Sequence, residues 1–231
     1  MITINDAILL PLTEAEIKTV MQKALAQFDI AKRDNLRHRH LNIKYDCILR
    51  GYIGEYAISK WLTENGITLT ATNYVTDGDA MDIDFLYKQK NIELKTSLLP
   101  DVDVNVKTAI AKRDIKLIQR KKIIEDLKGD IHLQILYNQR RKAKDEWLEI
   151  QQIDFANILI NDLYDVILAK AYKNTCYFVG WIDKETLIKK INALPLDKHT
   201  WYFKNSMRLF WNCKIRESNA PISLLHFLKA M

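Results

Sequence analysis

Asp82-Ile83-Asp84-Phe85-Leu86-Tyr87-Lys88-Gln89-Lys90-Asn91-Ile92-Glu93-Leu94-Lys95 is two short runs of strand formers around a polar break. Ile83 to Tyr87 and Asn91 to Leu94 read as a β-hairpin with a tight turn near Lys88-Gln89-Lys90. With Gln89-Lys90 as the turn, Asp84 pairs with Lys95 and Leu86 with Glu93. Side chains two apart on a strand share a face, and so do directly paired residues. Asp84, Glu93 and Lys95 therefore converge on one side. Ile83, Phe85, Ile92 and Leu94 take the other, which suits burial.

Outward from the hairpin the periodicity changes. On the N-terminal side Thr13-Glu14-Ala15-Glu16 starts a helix as a capping box, running to about Lys32. The basic run Arg33 to His40 is a loop or a helix continuation. A second helix covers at least Gly51 to Glu64 and stops at Asn65-Gly66. Ile67 to Thr72 alternates as a strand does, and Asp77-Gly78-Asp79 breaks it. On the C-terminal side a basic helix is expected from about Val106 to Lys128, ended by Gly129, with a strand at Ile131–Tyr137. Further on, strands are expected at Trp147–Gln152, Tyr177–Ile182 and Arg208–Arg216, and helices at Asp154–Lys173 and Lys184–Ile191. The expected fold class is α/β, a central mixed sheet flanked by helices. With no repeat, low-complexity stretch or Gly/Ser- or Pro-rich linker, residues 1–231 read as one domain.

Two carboxylates and an ammonium on one face make a plausible hard-cation site. Oxygen ligands from Asp84 and Glu93 suit Mg²⁺, which keeps several waters and completes its shell from a phosphate. Lys95 can orient an attacking water and stabilise charge on phosphorus. An exposed hairpin with ordinary alternating charges would carry the same letters. Glu55 shifts the balance, because Ile58 and Leu62 stand three and seven positions after it on the apolar stripe. A carboxylate on that stripe needs a partner, and a metal site beside the hairpin supplies one. The helix dipole, which favours a first-turn Glu, is the competing explanation.

An Asp, then Glu-x-Lys on a hairpin, preceded by a Gly-x-x-Gly-Glu helix, resembles the PD-(D/E)xK nuclease superfamily, the fold of many restriction endonucleases. The matching residues are Gly51-Tyr52-Ile53-Gly54-Glu55, Asp84 and Glu93-Leu94-Lys95. The resemblance covers about Gly51 to Tyr137 and implies a restriction-endonuclease-like core in the order α-β-β-β-α-β. Residues 1–50 would then be an N-terminal helical extension and 138–231 a C-terminal α/β elaboration for DNA recognition or dimerisation. It further implies Mg²⁺ as cofactor, with Mn²⁺ able to substitute, held by Asp84, Glu93, the Leu94 carbonyl and Glu55. Lys95 would serve the attacking water. No proline precedes the aspartate here, and Asp82, on the same face two residues earlier, competes with Asp84 as ligand or stands behind it.

Charge placement fits a polyanionic partner. The chain is net +6, yet Lys107 to Lys144 holds twelve Lys or Arg against four Asp or Glu, so the remainder is net negative. At helical spacing Lys112, Arg113, Lys116 and Arg120 share one face and could track phosphates, or simply be solvated. In Arg208–Arg216 one face carries Arg208, Phe210, Asn212, Lys214 and Arg216, side chains able to read base edges. Leu209, Trp211, Cys213 and Ile215 form the other face, expected in the core; an amphipathic edge strand explains the same pattern. No stretch approaches the ~20 apolar residues of a membrane span. Three scattered cysteines suggest neither disulfides nor zinc, and Met1 to Asp6 lacks the basic start and small-residue cleavage site of a signal peptide, so a cytoplasmic protein is expected. Without a phosphate-cradling glycine loop, no nucleotide cofactor is expected. The leading expectation is a type II-like restriction endonuclease, a homodimer on double-stranded DNA. The alternatives are a structure-selective, repair or anti-phage nuclease, or an inactive DNA-binding protein of the same fold.

Overall fold

The computed structural model describes residues 1–31, 39–72, 83–203 and 208–231. A six-stranded sheet forms its centre, in the order β1 (Ile8–Leu9), β6 (Cys176–Asp183), β5 (Ile131–Arg140), β4 (Lys90–Leu99), β3 (Phe85–Tyr87) and β2 (Thr70–Ala71). Only β4 and β5 run parallel; every other neighbouring pair is antiparallel. A parallel pair needs a crossover, and α3 (Val106–Lys112) lies within it.

Helices lie on both faces, although only one face of β4 and β5 is largely apolar; the other carries Glu93, Lys95, His132 and Gln134 before it turns apolar at Leu136 and Leu99. Ile92, Leu94 and Leu98 of β4 with Leu133 and Ile135 of β5 pack against α1 (Glu14–Ala31) and α2 (Leu41–Glu64). On the reverse, Leu99 and Leu136 meet Ala109 and Ile110 of α3, and Leu187 and Ile191 of α6 (Lys184–Asn192). The Thr13–Glu16 capping box forms as expected: Thr13 N donates to Glu16 Oε2 at 2.7 Å and Glu16 N to Thr13 Oγ1 at 3.2 Å. Gly66 ends α2 with φ +79.

Gly54 is what lets α2 lie on β4. A Cβ there would come within 2.4 Å of Thr96 Cγ2, with Tyr137 Oη and Ile135 Cδ1 at 3.4 and 3.5 Å. Thr96 is β-branched and stiff, so it cannot swing aside cheaply. Gly54→Ala gains up to about 1 kcal/mol of helix propensity but overpacks a core contact, which costs about 1–3 kcal/mol. Net destabilisation in urea unfolding is expected, and Thr96→Ser, which deletes the clashing methyl, should restore most of it.

Several expected elements differ. The basic helix ends at Lys112, not Lys128. From Arg113 the chain is extended and pairs with the 209–214 segment through Ile115 N to Cys213 O (2.8 Å) and Gln119 N to Leu209 O (3.0 Å). Ile115 and Leu117 are buried on either side of half-buried Lys116, a period of two that the seven-residue spacing of Ile110, Leu117 and Ile124 conceals. Trp147–Gln152 is not a strand. Its first half closes α4 (Arg141–Glu149), where Lys144 and Leu148 are buried one turn apart. The helix expected over 154–173 is α5 (Ile160–Val166) and a separate 3-10 turn, Ala169–Tyr172, divided at Leu168 by φ 55. Arg208–Arg216 is a strand only as far as Trp211. This β8 (Arg208–Trp211) pairs with β7 (Thr200–Phe203) in a hairpin apart from the central sheet. Its faces differ from expectation as well: Leu209 is exposed, and Phe210 is buried in an aromatic cluster. The C-terminal α7 (Ser223–Ala230) was not anticipated.

Candidate active site

The hairpin forms with its turn one residue earlier than expected. Lys88 and Gln89 have φ 44 and 66, so both central turn residues are left-handed, as a type I′ turn requires. Neither is the Asn or Gly such turns prefer, which is why the sequence misplaces the turn. Phe85 pairs with Ile92 and Tyr87 with Lys90. Asp84, just outside β3, donates its N–H to Ile92 O at 2.9 Å, the residue already paired with Phe85, so the regular ladder ends at Phe85. The register shifts by two residues, and Glu93 and Lys95, two apart on β4, keep a common face.

Glu93 is buried and held at both oxygens. Lys95 Nζ lies 2.7 Å from Oε1, and His132 Nδ1 lies 2.9 Å from Oε2. Burial alone would raise this carboxyl; the Lys95 ammonium and the His132 hydrogen bond outweigh it and hold it at about 2. An ionised carboxylate only accepts, so His132 Nδ1 carries the hydrogen. His132 is the residue that sequence reasoning missed. It sits directly across from Glu93 in the parallel β4/β5 register, and a lone His on an apolar strand gives no spacing signal. Gly129 makes room for it: a Cβ there would meet His132 Cε1 at 2.7 Å and Glu93 Cβ at 3.2 Å.

Asp84 is fixed by the strand opposite, its Oδ2 accepting from Leu94 N at 2.6 Å. Asp84 and Glu55 together line a cleft of about 460 Å³ with Tyr52, Thr72 and Lys23. Glu55 is half-buried, as its place on the α2 stripe implied. Burial first, and the Asp84 charge second, push its carboxyl up to about 7, against the opposing pull of Lys23 and Lys95. Asp84 thus shares the cleft with Glu55 and is tied to β4, next to Glu93, through the Leu94 amide. Asp82 lies outside the described residues.

Among the described residues no three His, Cys, Asp or Glu side chains stand close enough to form a ready metal-holding group. The donor set nevertheless fits a hard divalent cation. Asp84, Glu93 and Glu55 offer carboxylate oxygens, and Glu55 is a desolvated carboxyl held near neutrality by the charge of Asp84. A cation between them would reverse that repulsion. Proton and metal then compete for Glu55. Mn²⁺ binding, followed by electron paramagnetic resonance, should weaken as pH falls from 8 to 6, and Glu55→Gln should flatten that dependence.

The proposed nucleic-acid contacts are dispersed. Lys112 is exposed at the end of α3, and Arg120 is exposed beyond the extended segment. Arg113 is committed to buried Asp103, at 2.5 and 2.9 Å, and Lys116 projects over aromatic rings. Arg208 begins β8 and Asn212 Nδ2 donates to Lys198 O at 3.2 Å. Lys214 is paired with Asp114 at 2.9 Å, and Arg216 stands at 3.4 Å from Glu217. Neither expected single face exists, since neither the long helix nor the nine-residue strand forms. The basic run before α2 lies largely outside the described residues; His40 caps α2, its Nδ1 accepting from Asn42 N at 3.3 Å. No helix among the described residues is long and apolar enough to cross a membrane. No family model, curated protein or solved structure matches the chain.

Proposed function

We propose that the chain is a Mg²⁺-dependent endonuclease of the PD-(D/E)xK type acting on DNA. The observation that carries the reading is the setting of Asp84: its carboxylate accepts from the Leu94 amide, which stands between Glu93 and Lys95 on β4, and it lines a cleft with Glu55. The order α2, β2, β3, β4, α3, β5, with β4 and β5 parallel, supports it as the core that resemblance implies.

Asp84, Glu93 and Glu55 would hold the ion, with the Leu94 carbonyl as a further oxygen. When bound, Mg²⁺ supplies Lewis-acid polarisation of the scissile phosphate and lowers the pKa of an attacking water. The protein supplies position and charge. His132 fixes Glu93 and the Leu94 amide fixes Asp84, so neither carboxylate must reorganise as the reaction proceeds. Lys95, ion-paired with Glu93, sets an ammonium beside the place where charge builds on phosphorus, and it can orient the attacking water.

A homodimeric, type II-like restriction endonuclease is the leading form, since a stand-alone core with a large C-terminal addition can supply site recognition and a partner surface. Digestion of unmethylated phage DNA decides between forms. Discrete fragments with uniform ends are expected. Cutting confined to branched, nicked or damaged substrates would replace this form with a structure-selective nuclease.

A further inference from the structure

A larger cleft of about 760 Å³ opens alongside the last part of β4. Thr96, Ser97 and Leu98 form one side, and Lys116, Trp201 and Phe203 another. Most of its cations are already answered: Arg50 by Asp46, Arg113 by Asp103, Arg141 by Asp145 and Lys214 by Asp114. Lys116 is not. Among the described residues its ammonium makes no ion pair or hydrogen bond. It lies 4.8, 4.9 and 5.2 Å from the ring centroids of Trp201, Phe203 and Phe210. Burial lowers its pKa from the ordinary lysine value, with the Asp114 charge pulling the other way.

Two further groups on this cleft lack partners. Trp201 Nε1 is a buried donor, and Asp114 Oδ1 a buried acceptor, with no hydrogen bond to any described residue. Such orphans cost enough to be rare, and each calls for an explanation. A phosphate answers the cation. A planar heteroaromatic ring answers both the aromatic wall and the orphaned donor and acceptor. A nucleotide carries all of these together, and the cleft is of a size that holds small ligands.

We propose that this cleft seats a single unpaired nucleotide, its phosphate at Lys116 and its base against Trp201. The cleft is wired to the candidate active site. Lys116 N donates to Gln134 Oε1 at 2.9 Å, and Gln134 Nε2 donates to the Lys95 carbonyl at 3.0 Å. The inference rests on the nucleic-acid reading above where the nucleotide belongs to a strand, as a base swung out of the helix. A free nucleotide presents the same chemistry.

Fluorescence anisotropy with Ca²⁺ in place of Mg²⁺ separates these cases, using a paired duplex and the same duplex with one bulged nucleotide. The full chain should bind the bulged duplex at least about tenfold more tightly, the scale of one base stacked on an aromatic ring. Trp201→Ala and Lys116→Gln should each abolish that preference. Should Trp201→Ala not fold, Lys116→Gln carries the same test, because its ammonium makes no hydrogen bond among the described residues. Saturable binding of deoxynucleoside monophosphates, lost in the same variants and without bulge preference, would support the cleft and assign a free nucleotide as its source. Equal affinity for both duplexes with no nucleotide binding, or a preference that both variants keep, would overturn the inference. Cleavage in Mg²⁺ is measured in parallel: cutting without either binding signature sinks the cleft alone, and a binding signature without cutting sinks the nuclease reading alone.

Discussion

Lys95→Ala is expected to slow DNA cleavage by about 10²–10³-fold, the usual cost of losing one preorganised charge beside a reacting centre. The effect should fall on the chemical step. Lys95 lies 2.7 Å from Glu93 and is only half-buried, so its loss leaves the hairpin register and the apolar face of β4 in place. Glu93 would keep His132 but lose the larger of the two influences that hold its carboxyl at about 2. Single-turnover cleavage at saturating enzyme isolates the step, and thermal unfolding checks the fold. A variant that folds and cuts at the wild-type rate would remove Lys95 from the chemistry.

The second large effect concerns stability. Asp46 is fully buried in α2, where Oδ2 accepts from Arg50 Nε at 2.9 Å. Its Oδ1 receives Tyr172 Oη at 2.5 Å and lies 3.0 Å from Lys144 Nζ. Burial would raise this carboxyl, but the Lys144 and Arg50 charges outweigh it and hold it below the usual carboxylate range. One side chain thereby ties α2, α4 and the turn after α5 together beneath the sheet. Asp46→Ala leaves two buried cations without their anion, which typically costs about 3–5 kcal/mol. Urea denaturation should show this as a lower midpoint with an unchanged slope. The folded-state pKa lies below the unfolded one, so the stabilisation is complete above the unfolded carboxylate pKa and is lost as pH falls through the folded value. A loss of under 1 kcal/mol at neutral pH would mean that the network is solvated.

Where local pattern and tertiary packing agree, the sequence is legible. The hairpin, α2, β6 and α6 follow from periodicity, capping and β-branched content, and Glu93 and Lys95 share a face under either register because they stand two apart on one strand. Glu55 on the buried stripe was legible for the same reason. Beyond Lys112 the two diverge. Ile115, Lys116 and Leu117 satisfy a helical and an extended pattern alike, and only the distant 209–214 segment decides between them. Asp103, which claims Arg113, and Asp114, which claims Lys214, are invisible as partners until the chain is folded. His132 gains its meaning from Glu93, 39 residues away, and Lys116 from the β7–β8 aromatics.

The most direct measurement is cutting of unmethylated plasmid DNA by the purified full chain in Mg²⁺ and in EDTA, beside folded Asp84→Asn. Cutting by the wild type in Mg²⁺, abolished by EDTA and by the substitution, is the expected result. Cutting that survives Asp84→Asn, or a folded wild type that cuts nothing in Mg²⁺ or Mn²⁺, would contradict the assignment of a metal-dependent nuclease site centred on Asp84.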